Sequence, residues 1–220
     1  MAMGGPIAMP TELAILTLAQ WFSPAYPIGS FAYSHGLEWA IETGNVHDLA
    51  TLAAWVGDTL EFGSGRNDAL FLAAAYRSAD PMNVDSICRA FAPSKERLKE
   101  TDLQGAAFAD ITSAIWGHDL APMTYPVAVG WAAQLSELPL ALTSQMYLQS
   151  FASSLISVGM RLVPLGQRDG HTLIQSLAPL CCRIADQTAQ GDLDDLSAMA
   201  FLPDIASMKH EIQYSKVFRT

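Results

Sequence analysis

The stretch WFSPAYPIGSFAYSHGLEWAIETG, residues 21–44, reads as a helix junction, and the same kind of punctuation recurs along the whole chain. Pro24 and Pro27 forbid regular helix, Gly29 permits a tight turn, and Ser30 is placed to cap a helix carrying Phe31, Leu37, Trp39 and Ile41. Gly44 then closes that helix. A second junction, MRLVPLGQRDG, lies at residues 160–170. There an apolar helix ends at Arg161 to Val163, Pro164 stops it, and Gly166 turns the chain into Gln167, Arg168 and Asp169. Arg161 sits where the last carbonyls of a helix lack partners, a favourable place for a cation, and is expected to anchor loop carbonyls or a carboxylate such as Glu38, holding the two junctions together.

Outward from these corners, alanine and leucine recur at three- and four-residue spacing between Gly and Pro breaks, and the alternation of a half-buried strand is missing. The pattern predicts an all-α fold, a single compact helical domain of about ten helices. They fall at residues 11–22, 31–43, 48–62, 66–79, 83–91, 94–117, 126–137, 139–162, 169–190 and 204–215. Asp48, Ser94 and Asp204 are the N-caps expected, Gly63 and Gly191 the stops, and Pro179 should kink the ninth helix. Residues 1–10, MAMGGPIAMP, read as a flexible lead-in, residues 11–203 as the domain, and residues 204–220 as a C-terminal tail.

With 220 residues, half of them hydrophobic, one domain can bury a sizeable core. The net charge of -10 would repel a nucleic-acid backbone. The first 94 residues hold three arginines and no lysine against nine acids, so a basic protein partner would be steered toward that end. The cysteines, Cys88 and the adjacent pair Cys181 and Cys182, do not suggest a disulfide framework, and no charged-then-apolar leader opens the chain; a cytoplasmic setting is expected. From Leu120 to Met160 the only charged side chain is Glu137. Residues 138–160 are long enough to span a bilayer, but Thr143, Gln145, Gln149 and five serines would be stranded in hydrocarbon. A helix buried on all sides, in the core or at a homodimer interface, is the expectation.

Chemistry-bearing motifs are few. The cluster Gly63, Ser64, Gly65, Arg66 lacks the lysine and preceding strand of a phosphate-binding loop. The five histidines show no i, i+4 pairing, so each is expected at the surface or at a helix end, and no metal site or cofactor is expected. Ser34 beside His35 lacks a nucleophile elbow, and Glu38, one turn on, reads as a structural carboxylate. The run Lys95, Glu96, Arg97, Lys99, Glu100, Asp102 reads as the solvent face of a long helix. From Asp204 onward, Ile205, Met208, Ile212 and Phe218 can line one side of a short helix and its extension, with Lys209, His210, Glu211 and Tyr214 as polar contacts around it. These features favour an interaction protein; a helical enzyme of unknown substrate is the alternative.

Taken together, Ser23-Pro24, Pro27, Gly29-Ser30-Phe31-Ala32-Tyr33-Ser34, Gly36-Leu37-Glu38 and Arg161-Leu-Val-Pro164-Leu-Gly166-Gln167 resemble the UreF family of urease accessory proteins. The tail FLPDIASMKHEIQYSKVFRT, with His210, Glu211, Tyr214, Phe218 and Arg219 at recurrent positions, extends the resemblance to residues 12–219. Two positions depart from it. Arg97 is displaced by one place from the arginine the family often carries, and His171 stands where glutamine is frequent. The resemblance implies an all-α fold and no catalytic residues. It also implies a complex with the scaffold UreD (UreH) and the GTPase UreG that delivers nickel, as cargo, to apo-urease, and a tail that engages the scaffold.

Overall fold

The computed structural model describes residues 11–220; the expected lead-in at residues 1–10 lies outside them. The described residues form ten α-helices: α1 Glu12–Trp21, α2 Leu37–Glu42, α3 Leu49–Glu61, α4 Ser64–Arg77, α5 Met82–Phe91, α6 Lys95–Trp116, α7 Tyr125–Leu135, α8 Leu140–Leu162, α9 Gln167–Thr188 and α10 Phe201–His210. Short 3₁₀ turns occupy Ser30–Ala32 and Leu193–Asp195, and no strand is present among these residues. The fold is one helical domain, as the spacing of apolar residues predicts.

Two of the three expected N-caps act where the sequence places them. Asp48 accepts from the Thr51 N–H at 2.8 Å and Ser94 from the Arg97 N–H at 3.0 Å, capping α3 and α6. Asp204 is not a cap. It lies inside the first turn of α10, which starts three residues earlier at Phe201. Pro179 falls inside α9 without ending it.

The centre of the domain is built on α4, α7 and α8. Leu70, Leu72 and Ala73 of α4 are fully buried, as are Val127, Ala128 and Val129 of α7. Each fully buried large aliphatic contributes roughly 1.5–3 kcal/mol of transfer energy. α4 and α7 touch backbone to backbone, because a Cβ on Gly130 would lie 2.2 Å from the Leu72 carbonyl oxygen. Trp21 closes one end, edge-on to Phe108 of α6 at 5.2 Å. Within a single chain α8 is buried on one side only. Tyr147, Leu148, Leu155 and Ile156 face the core, whereas Gln145, Gln149, Ser150 and Ser153 are half-buried and Ser157 is exposed. Its serines answer to the helix itself: Ser153 and Ser157 hydroxyls donate to the carbonyls four residues back. No helix of the described residues is long and apolar enough to cross a membrane.

Candidate functional site

The helix expected over residues 31–43 is broken in two. Gly29 takes a left-handed φ of 72°, as the junction requires, and the 3₁₀ turn Ser30–Ala32 follows without a side-chain cap from Ser30. Tyr33 is then extended, and His35 and Gly36 turn left-handed at φ 57° and 75° before α2 begins. The reason is close packing. A Cβ on Gly36 would lie 2.5 Å from the Ser207 nitrogen, so α10 presses directly on this corner. Left-handed backbone at a histidine carries strain of about 1 kcal/mol or more, and the surrounding contacts must hold it.

Those contacts form a buried charged cluster. Arg97 of α6 donates to Asp68 of α4 at 2.7 Å and lies 3.7 Å from Glu100, all three nearly inaccessible. Tyr147 of α8 donates to the same Asp68 oxygen at 2.8 Å. His35 Nδ1 meets Glu100 at 3.1 Å, and Gln104 donates to that carboxylate at 3.2 Å. Burial pushes the Glu100 carboxyl up, but the charges of His35 and Arg97 and hydrogen bonds from His35 and Thr220 outweigh it, holding the group down at about 2. Burial also works against the Arg97 charge, and the carboxylates of Asp68 and Glu100 overcome it. The run at residues 95–102 is therefore not a solvent face: Arg97, Glu100 and Thr101 are buried, and only Lys95 and Lys99 are exposed. His35 Nε2 has no hydrogen-bond partner and borders a cavity of about 40 Å³, room for a few waters.

A second cluster fixes the tail. Residues 217–220 run as a strap along residues 32–34. Arg219 N–H donates to the Ala32 carbonyl at 2.8 Å, and Ser34 N–H to the main-chain oxygen of Thr220 at 2.7 Å. Glu38, buried on α2, accepts the Val217 N–H at 2.7 Å and the Phe218 N–H at 2.9 Å. His210, with no exposed surface, puts Nε2 at 3.2 Å from Glu38 and Nδ1 at 2.7 Å from Glu96, while Lys216 pairs with Glu96 at 2.7 Å. Thr220 Oγ1 donates to Glu100 at 3.0 Å and joins the two clusters. Of the histidines expected at the surface or at a helix end, His35 and His210 are buried, and His210 is the last residue of α10.

The segment expected to present one apolar side divides instead. Ile205, Met208 and Ile212 are exposed, with Tyr214 wholly so, whereas Phe218 points inward and is 4% exposed. Glu211 is half-buried and accepts the Lys95 N–H at 2.8 Å; Arg219 is exposed. Arg161 does not reach Glu38. Its guanidinium donates to the Phe31 carbonyl at 3.4 Å and lies 5.7 Å from the centre of the Phe218 ring. Tyr33 is buried, Pro24, Pro27 and Pro164 are exposed, and Gly166 and Gln167 open α9 at the surface, Gly166 N–H donating to Asp169 at 3.3 Å.

Among the described residues, no group of three or more His, Cys, Asp or Glu is arranged to hold a metal ion. Cys88 is buried, and its burial and the Asp68 charge push the thiol up to about 12, which makes it a poor nucleophile. Cys181 is buried and Cys182 exposed.

What the polar clusters do is hold helices and strap in register. The fold and site define an all-α domain that commits one buried charge cluster to its long helices and another to its own last segment, and leaves apolar residues outward on α10. Residues 46–178 match the family described as UreF. The chain is 54% identical over 217 residues to the urease accessory protein UreF of Ruegeria pomeroyi, covering 97% of this chain and 100% of that protein. It is 50% identical to the protein of the same name from Roseobacter denitrificans, over 97% of each chain. It is 41% identical to that of Rhodopseudomonas palustris, over 100% of this chain and 99% of the relative. The chain belongs to the UreF family of urease accessory proteins.

Proposed function

We propose that the chain is an adaptor in urease maturation. As a cytoplasmic homodimer it links a UreD (UreH) scaffold to the UreG GTPase, regulates that GTPase, and so supports delivery of nickel, as cargo, to apo-urease. The observation that carries this reading is the outward row on α10 and its extension. Phe201, Leu202, Ile205, Met208, Ile212, Tyr214 and Val217 are all exposed on one stretch of chain, while His210 and Phe218 anchor that stretch to the body. A held segment with that much apolar surface suits a partner of matching apolar surface. The half-buried flank of α8 is the face proposed for the homodimer.

Deleting residues 207–220 would also remove anchors of the body, so surface substitutions separate the roles better. The variant Ile205→Asp with Met208→Asp, co-expressed with tagged UreD and UreG, is expected to keep its helical circular dichroism and lose co-purification with the scaffold. Normal recovery of the scaffold by that folded variant would defeat the tail assignment. Sedimentation of the isolated chain at tens of micromolar as monomer alone would remove the homodimer.

A further inference from the structure

We propose that His210 is a proton-operated latch on the strap, which closes when the ring is doubly protonated and loosens when it gives up one proton. The geometry concerns the isolated chain and stands whether or not the strap engages a scaffold.

Both ring nitrogens of His210 face carboxylate oxygens, Nδ1 on Glu96 at 2.7 Å and Nε2 on Glu38 at 3.2 Å. A neutral imidazole has one N–H and one lone pair. It can satisfy one of these carboxylates, and its lone pair then meets the other on a ring that has no exposed surface. Only the imidazolium donates to both. The two carboxylates are the same groups that hold the strap: Glu38 takes the N–H groups of Val217 and Phe218, and Glu96 takes Lys216. The charged groups facing the ring are Glu38 from α2, Glu96 from α6 and Lys216 from the strap, with Lys209 and Glu211 beside it in its own segment. With His210 charged, two carboxylates meet two cations. With it neutral, one buried carboxylate is left without a counter-charge, and the clamp on Val217 and Phe218 weakens.

Only the doubly protonated ring donates to both carboxylates, so docking is complete in acid and weakens at higher pH, where the ring gives up one proton. Hydrogen exchange at the amides of Val217 and Phe218, corrected for intrinsic rate, tests this at about pH 6 and about pH 8.5, either side of the usual histidine range. Protection is expected to fall about tenfold at the higher pH, the equivalent of one charge-assisted hydrogen bond, while Leu148 and Ile156 in α8 keep theirs. In His210→Gln, whose amide does not titrate, the strap amides should show the same protection at both pH values. Wild-type protection that does not change with pH, or a fall of equal size in His210→Gln, overturns the latch. Should the variant not fold, ring ¹⁵N shifts of the wild type decide: two protonated nitrogens beside protected strap amides support the latch, and a neutral ring beside protected amides overturns it.

Discussion

Two buried charge clusters lie side by side in this protein and hold different kinds of structure. The cluster at Arg97 joins long helices: Asp68 on α4, Arg97 and Glu100 on α6, Tyr147 on α8. The cluster at Glu38 joins a short helix to a strap, and two of the three hydrogen bonds to the Glu38 carboxylate come from backbone N–H groups, those of residues 217 and 218. In the first, loss of one partner leaves a charge trapped among helices that cannot move apart. In the second, the strap can swing into water and take its hydrogen bonds there. Equal burial therefore implies unequal consequences: global for the body, local for the strap.

The sharpest break of that comparison is Arg97→Met. The substitution keeps the volume and removes the guanidinium that Asp68 and Glu100 share, leaving two buried carboxylates side by side. A loss of about 3–5 kcal/mol in urea unfolding is expected, the usual penalty for stripping one partner from a buried pair. A loss under about 1 kcal/mol would mean that water reaches Asp68, and the body would then differ little from the strap. The paired change Arg97→Met with Asp68→Asn should recover part of the loss.

Acid supplies the next largest effect. The Glu100 carboxyl lies at about 2 in the folded chain against an ordinary 4.5. A depressed value contributes stability that is fully present above 4.5 and is lost as pH falls toward 2. The difference amounts to about 3 kcal/mol. Stability measured by denaturant between these limits should decline steeply, and Glu100→Gln should flatten the decline while lowering the plateau at neutral pH. An unchanged acid limb in Glu100→Gln would transfer the acid sensitivity to other carboxylates.

For the strap, Glu38→Ala removes the acceptor of two N–H groups and one side of His210. Trypsin, which can cut after Lys209 and Lys216, should release the tail at least tenfold faster, consistent with about 2 kcal/mol of lost charge-assisted hydrogen bonding. The body's urea midpoint should move far less than in Arg97→Met. Equal global loss in the two variants would make the strap part of the folding core and erase the distinction drawn above.

How much of this was legible in the sequence differs between the same two regions. The helices were readable because Ala and Leu spacing, Gly and Pro breaks and the caps Asp48 and Ser94 act locally. The Arg97 cluster was not. A charged run is read as solvent-facing, yet Arg97, Glu100, Thr101, Gln104 and Phe108 follow helical spacing and form one stripe that runs into the core. That stripe was the available signal. For the strap there was none, because the hydrogen bonds of Glu38 to residues 217 and 218 join positions about 180 apart, and no local pattern encodes them. The break in the helix expected at residues 31–43 is likewise non-local, since the left-handed Gly36 lies directly against Ser207 of α10, 171 positions away.

Arg161 is where the two regions nearly meet, and it carries the smallest effect. Its setting at the end of α8 suggests an anchor on loop carbonyls or on a carboxylate such as Glu38, with a destabilised fold on substitution. The structure gives it an exposed guanidinium, one long hydrogen bond of 3.4 Å to Phe31 and a position 5.7 Å from the centre of the Phe218 ring. An exposed cation over an aromatic ring contributes roughly 0.5–1 kcal/mol. Arg161→Ala should therefore shift the urea midpoint of the body within error. Because Phe218 is the one large apolar residue the strap buries, the same change should speed tryptic release of the tail by about threefold, well short of Glu38→Ala. A melting temperature lowered as far as in Arg97→Met would restore Arg161 as an anchor of the body. Unchanged release of the tail would show that Phe218 is held by its own burial and by Glu38 alone.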